Sequence, residues 1–495
     1  MLGIRFTHKG IMKLTHIVIN VIVLLLLLSA TNYAQDNRPV ESGRANWTVM
    51  VYMNANNNLE KYAFDNFNQM AQVADSPSVN IVVQFARQAQ YISFPQWKGS
   101  LRFKISKGIE STFENSLEKR NDPMLDESKI PDPNMGKAET LGDFVSWARL
   151  NYPANHYLLI IWDHGDGWRF FDTAKITSSK AVLQAVAEDR KFNIQKAVNL
   201  AEQFTGLLAL PKAHAIKENP AIRKNESMQV AAFRAISVDD AHGGDKLYNR
   251  DIEDTLSRIL KGDKLDILGF DACLMAMVET AYAMRNVASI MVGSEELEPG
   301  AGWHYERWLT PLSQNPSLSS QELAKILVQS YKTIYDPSGT STTMSAINLG
   351  SIPDFTKSVD RFADVLLASL RSSQELQLIR QVRDWCFVYA PGYGVQGIDF
   401  GQFSELVAST TRNPKLQKAA KQARLDLDST VIDRYMSWDR PCSYGLAIYF
   451  PASGTLLSVD PEKGGYDRGN TLHPVEFVHD HRWADFVKEY CSKVP

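Results

Sequence analysis

Four short segments of this chain are apolar almost from end to end: Trp47–Met53, Val79–Phe85, Tyr157–Trp162 and Leu265–Phe270. Each is bounded by polar or turn-forming residues, as by the asparagine-rich Asn54–Asn58 after the first. A strand with one wet face alternates apolar and polar side chains, whereas a strand apolar throughout is buried on both faces, the pattern of a parallel sheet covered by helices. The covering helices are legible between the strands. Leu59–Val73 carries Leu59, Tyr62, Ala63, Phe67, Met70 and Ala71 at three- and four-residue intervals, and Thr140–Leu150 lines up Leu141, Phe144, Val145 and Ala148 behind a Thr140 cap. Leu101–Ile105 predicts part of a hairpin. The class is α/β, with a mostly parallel sheet flanked by helices.

The 495 residues are 44% hydrophobic and 22% charged, enough for an ordinary core and without a disordered bias. At roughly 100–200 residues per domain, this length fits about two to four domains. Residues 1–34 combine basic Lys13, an apolar run from Ile17 to Leu28 and a small-residue exit through Ser29, Ala30 and Ala34. That run is too short for a comfortable bilayer span, so it predicts a cleaved secretory signal. An uncleaved anchor would have to tilt or thin the bilayer. The expected location is secreted or periplasmic, with no stable membrane span in the mature chain. Residues 35–45 read as a linker, 46–310 as the core and 169–235 as an insertion with scattered lysines and arginines. Residues 311–495 read as a smaller helical and mixed region. There Gln321–Tyr335, Asp354–Ser369 and Lys415–Ser437 predict helices, and Tyr444–Phe450 a late strand. The formal charge is -3, more acidic once Arg5, Lys9 and Lys13 leave with the leader. No basic field exists to hold phosphates, which argues against nucleic acid as a partner. Four cysteines, Cys273, Cys386, Cys442 and Cys491, are too sparse for a disulfide scaffold and lack C-x-x-C pairs, which leaves free thiols as the expectation for one or more.

In an open α/β sheet ligands bind beyond the carboxyl ends of the strands. Two strand exits carry reactive groups. After Ile160-Ile-Trp162 come Asp163, His164 and the turn Gly165-Asp-Gly167, where glycine permits positive φ and close approach. After Ile267-Leu-Gly-Phe270 come Asp271, Ala272 and Cys273, followed by a helix expected from about Leu274 to Val287. Either signal alone is weak, because free cysteines are among the most buried residues and a lone histidine often only braces a loop. Together they suit nucleophilic catalysis, in which a thiol needs an imidazole in reach and gains thiolate character at a helix start.

Four blocks, Trp47-Thr-Val-Met-Val-Tyr-Met-Asn-Ala-Asn-Asn-Asn-Leu-Glu60, Trp162-Asp-His-Gly-Asp-Gly-Trp168, Asp271-Ala-Cys-Leu-Met-Ala-Met-Val-Glu279 and Ser294-Glu-Glu-Leu-Glu-Pro-Gly-Ala-Gly-Trp303, resemble the clostripain-like cysteine peptidases, relatives of caspases, gingipains and legumains. The resemblance covers residues 46–310 well and the rest thinly. It implies a caspase-like core, a His164/Cys273 dyad and an oxyanion hole from the Gly165 and Cys273 N–H groups, each such donor being worth about 3–4 kcal/mol. It implies protein or peptide substrates, with Asp271, Ser294 and Glu295 at the substrate and Asp271 receiving a basic P1 side chain. The competing role for Asp271 is a cap on the helix expected after it. Several relatives carry a second acid where this chain has Ala301, with Glu295, Glu296 and Glu298 close by in sequence. With one carboxylate, arginine is expected over lysine. The 169–235 insertion falls where such proteins are often cut, and Arg223-Lys224 offers a site, though an ordinary surface loop is equally consistent. No cofactor is implied with certainty, and calcium is left open.

Two other classes compete. Asp163, His164 and Asp166 form a short cluster of a kind that binds divalent ions, but a second ligand set would have to be recruited from His242, His479 or His481. A noncatalytic binding protein could use the ten Trp and 18 Tyr as stacking surfaces, although aromatics more often fill cores.

Overall fold

The computed structural model describes residues 43–90, 97–167, 236–390, 396–454, 466–469 and 475–494. The leader at 1–34, most of the linker and the whole 169–235 insertion with Arg223-Lys224 lie outside them. Twelve strands are described: β1 (Ala45–Ala55), β2 (Val79–Arg87), β3 (Gly99–Lys104), β4 (Ala154–Trp162), β5 (Ile236–Asp239), β6 (Asp245–Leu247), β7 (Leu265–Asp271), β8 (Ala288–Gly293), β9 (Thr343–Asn348), β10 (Gly397–Asp399), β11 (Val431–Met436) and β12 (Ala447–Tyr449). Eight form one sheet in the order β11-β9-β8-β7-β4-β1-β2-β3. Its centre is parallel, from β2 through β1, β4 and β7 to β8. Its edges are antiparallel, β3 on β2 as the hairpin signal suggested and β9 and β11 beyond β8.

The period-2 alternation of the central strands sorts their side chains into two cores. Val49, Val51, Leu158, Ile160, Trp162 and Ile267 face the layer made by helices Glu60–Gln72, Tyr305–Gln314 and Ser320–Ser338. Met50, Tyr52, Leu159, Ile161, Leu268 and Phe270 face helices Ala138–Asn151, Asn249–Leu260 and Ile352–Ser369. The alternation carries past the apolar run: Ile267, Gly269 and Asp271 share the first face, which aims the Asp271 carboxyl at the segment preceding Tyr305. Gly269 is required there, since a Cβ on it would lie 2.8 Å from the Trp303 ring.

Several sequence expectations need correction. The second helix starts at Ala138 rather than Thr140, whose hydroxyl instead donates to the Asn134 carbonyl at 2.7 Å. Residues Val431–Met436 are strand β11, the preceding helix ending at Thr430. No sheet break coincides with the division drawn near residue 311, because β9 and β11 extend the same sheet and the residues from Arg44 onward form one unit. The late strand is present as β12, paired with β10 and bridged at Ala447 to Met277. Among the described residues no helix is long and apolar enough to cross a membrane.

Candidate active site

The β4–β7 register sets Trp162 opposite Asp271. His164 and Cys273 therefore each lie two residues past the same level on adjacent parallel strands. The two exits touch: a Cβ on Gly165 would come within 2.4 Å of the Cys273 carbonyl and 3.1 Å of its nitrogen. Gly167, at φ +65°, packs in the same way against the Leu274 carbonyl and the Met277 sulfur. Any larger residue at 165 would push the histidine strand away from the cysteine strand.

His164 is buried, and its Nε2 lies 2.9 Å from Asn58 Oδ1. An amide oxygen facing Nε2 favours the tautomer with the proton on that nitrogen. The Asn54–Asn58 turn is itself pinned to this strand end. Asn57 Nδ2 donates to Asp163 Oδ1 at 2.7 Å and to the Val238 carbonyl at 3.1 Å, while Asn57 Oδ1 accepts the Leu59 N–H. Asp163 Oδ1 also accepts the N–H of His164 at 2.6 Å. Through Oδ1 its carboxylate thus ties the turn after β1 to the turn after β4. Among the described residues no group of three or more histidine, cysteine or acidic side chains has the spacing of a metal site.

Cys273 is not at a helix start. Residues after it run through Leu274 at φ +63°, and the helix begins only at Val278, with Met277 as its cap residue. The extended segment is held by tertiary bonds: Leu274 N–H to the Glu296 carbonyl, Ala276 N–H to the Ser294 carbonyl and Ala447 N–H to the Ala276 carbonyl. No helix dipole therefore acts on the sulfur. Burial instead pushes the Cys273 thiol well up, with the nearby Glu298, Glu296 and Asp166 charges adding to the effect. Sγ accepts the Glu298 N–H at 3.2 Å and faces the Glu298 carbonyl at 3.7 Å. The resting group is a neutral thiol that needs an external base to react. All four cysteines are free and buried.

Asp271 does not cap a helix either. Its Oδ1 accepts the Trp303 N–H at 3.1 Å and its Oδ2 the Tyr305 hydroxyl at 2.9 Å. Gly302, at φ +58°, leaves the room, since a Cβ there would sit 2.4 Å from Oδ1. Burial raises this carboxyl to about 7 against those two hydrogen bonds. Ser294 and Glu295, expected at the substrate, turn their side chains elsewhere. Ser294 Oγ bonds the Glu296 carbonyl and Thr343, and Glu295 accepts the Gly445 N–H at 3.1 Å beside Asp399. Glu296 is consumed by Arg440 at 2.6 Å, both side chains being 3% exposed. Glu298 alone of the three nearby acids joins Asp271. Sequence reasoning missed Asn57, Asn58 and Tyr305. The asparagine run is the available signal for the first two, but on its own it predicts only a turn.

Residues 51–204 and 221–458 match the clostripain family. Over 274 residues the chain is 26% identical to clostripain from Hathewaya histolytica, covering 52% of this chain and 41% of that protein, so the match spans about two fifths of the relative's length. Two solved structures share the fold at 16% identity. One is an inactive zymogen C11 protease from Parabacteroides distasonis, with TM-score 0.51 over 90% of this chain and 99% of that one. The other is iotapain, a secreted C11 cysteine protease from Bacteroides thetaiotaomicron, with TM-score 0.52 over 83% and 94%. The family match takes in well over half of the chain, including β4 and β7, and this protein therefore belongs to the clostripain family.

Proposed function

We propose that the chain is an exported endopeptidase that cleaves after basic residues, arginine in preference to lysine, by a His164/Cys273 dyad. The observation that carries this is the β4–β7 register, with both residues equally far past neighbouring strands and Gly165 packed on the Cys273 backbone. In the reaction, Cys273 passes its proton to His164 as Sγ attacks the scissile carbonyl. The Gly165 and Cys273 N–H groups stabilise the oxyanion. The C–N bond then breaks, His164 gives its proton to the departing amine, and water delivered with the help of the same imidazole releases the acyl group. The apolar leader supports export, and the basic 169–235 insertion supports maturation by cutting. The zymogen state named for the Parabacteroides protein accords with the latter.

Asp271 is the P1 acid in this reading. It is a carboxyl on the cysteine strand, two residues before the nucleophile and buried where a substrate's positive charge would replace water. Its raised titration gives a sign. Below about pH 7 the Asp271 carboxyl is largely protonated and cannot pair with a cation, so KM for arginine substrates falls as pH rises through that range. Asp271→Asn is expected to weaken arginine substrates by roughly 2–5 kcal/mol in kcat/KM and to flatten that dependence. A fluorogenic peptide panel varied only at P1, run on both proteins across pH, checks it. Equal cleavage by the wild type after Ala, Leu or Asp would remove the specificity assignment while leaving the dyad to stand.

A further inference from the structure

Glu298 is 8% exposed, and neither of its carboxyl oxygens has a hydrogen-bond partner of normal geometry among the described residues. It is nonetheless surrounded by polar groups: it faces the Asp271 carboxyl, the Ala272 backbone N–H and the Trp303 indole. Trp303 Nε1 is likewise buried without a partner. Two carboxyls this close cannot both ionise without a proton shared between them or a cation brought beside them. No lysine or arginine side chain among the described residues pairs with either. The contrast with nearby acids is sharp, since Glu296 has Arg440 at 2.6 Å and Glu60 has Arg87 at 2.6 Å, all four side chains buried. The protein thus supplies a buried cation to Glu296 and to Glu60, whereas no ion pair among the described residues joins either member of this pair. Its backbone adds the position: the same residue's N–H holds Cys273 Sγ at 3.2 Å, so the Glu298 carboxyl is fixed one residue's reach from the nucleophile.

We propose that Glu298 is a specificity-determining residue of the P1 pocket, its carboxyl supplying beside Asp271 the second negative group that Ala301 does not, so that a lysine ammonium is held as well as an arginine guanidinium. This rests on Asp271 being the P1 acid. On binding, the proton shared by the two carboxyls leaves to solvent and the substrate's cation takes its place. A guanidinium keeps a two-point grip on Asp271 alone, whereas an ammonium is a point charge whose hydration must be replaced by more than one carboxylate. Lysine therefore depends on Glu298 more than arginine does.

The test is Glu298→Gln in the full-length protein, assayed on peptides with Arg, Lys and Gln at P1. The expected result is a fall of roughly 30-fold in kcat/KM for lysine, carried by KM, a smaller fall for arginine and a wider Arg:Lys ratio. Because the backbone clasp on Cys273 is untouched and a charge that pushes its thiol up is removed, its alkylation by iodoacetamide should not slow. Glu298→Asp, which restores a carboxylate on a shorter arm, should recover part of the lysine activity and serves if the glutamine protein folds poorly. An unchanged Arg:Lys ratio in both variants overturns the proposal. So does an equal loss on all three substrates with slower alkylation, which would make Glu298 a structural support only. A wild type indifferent to P1 charge is a separate outcome, overturning the basic-P1 reading on which this one rests.

Discussion

Cys273→Ala should lower kcat by on the order of 10^4-fold or more while leaving the fold nearly as stable as before. The loss is large because no other thiol can take over. Cys386 sits at a helix end with Sγ on the Val382 carbonyl at 3.3 Å. Cys442 follows β11 and Cys491 lies in the helix Trp483–Lys493, so neither stands at the exit of β4 or β7. The stability cost is small because the sulfur fills little volume and its polar contacts are weak ones, to the backbone N–H and carbonyl of Glu298. Residual turnover would come from the Gly165 turn and the substrate contacts, which survive the substitution. Because the resting thiol is buried and neutral, a peptide electrophile that recruits His164 should label Cys273 far faster than iodoacetamide does. Full activity of the alanine protein would end the mechanism, and equal labelling of all four cysteines would end the assignment of Cys273 as the activated one.

The parts of this structure that were legible in the sequence are those where one physical cause dominates. β1, β2, β4 and β7 are apolar on both faces because they lie between two helical layers. β8 and β9 escaped because Ala288–Gly293 and Thr343–Asn348 are short and mix small or hydroxyl residues with apolar ones. Their places in the sheet come from partners distant in sequence. β11 was hidden by the helix running directly into it, although the change from a lysine- and alanine-rich stretch to β-branched Val431 and Ile432 marks the join. The segment after Cys273 misled for a different reason. Leu274-Met-Ala-Met-Val278 has helix-forming residues, yet the Ser294 and Glu296 carbonyls and the Ala447 N–H claim its backbone groups. Tertiary bonds outweigh a local preference worth only tenths of a kcal/mol per residue. The same limit applied to the site. Strand exits could be found one at a time, but which acid meets Asp271 is decided by the path of 294–303, where three glutamates within four positions go to three different partners.

His164→Ala should cut kcat by roughly 10^2–10^4-fold with little change in KM, the range that a positioned acid and base contributes. Combining it with Cys273→Ala should add almost nothing, because the two act in one step and their losses do not sum. The structure adds a gradation through Asn58. In the proposed dyad its Oδ1, 2.9 Å from Nε2, favours the proton on that nitrogen, and Nδ1 is then the atom to take the thiol proton and return it to the amine. Asn58→Ala removes only the orientation, so it should cost kcat about tenfold, with the substrate and the nucleophile still in place. Asn58→Asp separates orientation from charge. The carboxylate keeps an acceptor on Nε2–H, restoring much of the rate, but it also stabilises the imidazolium and raises the pKa of His164. Since the attack needs the neutral ring, the acid limb of kcat against pH should move upward in the aspartate protein and stay where it is in the alanine protein. A loss confined to KM in His164→Ala, or identical pH limbs in Asn58→Asp and the wild type, would show that this imidazole is not the one exchanging protons with Cys273.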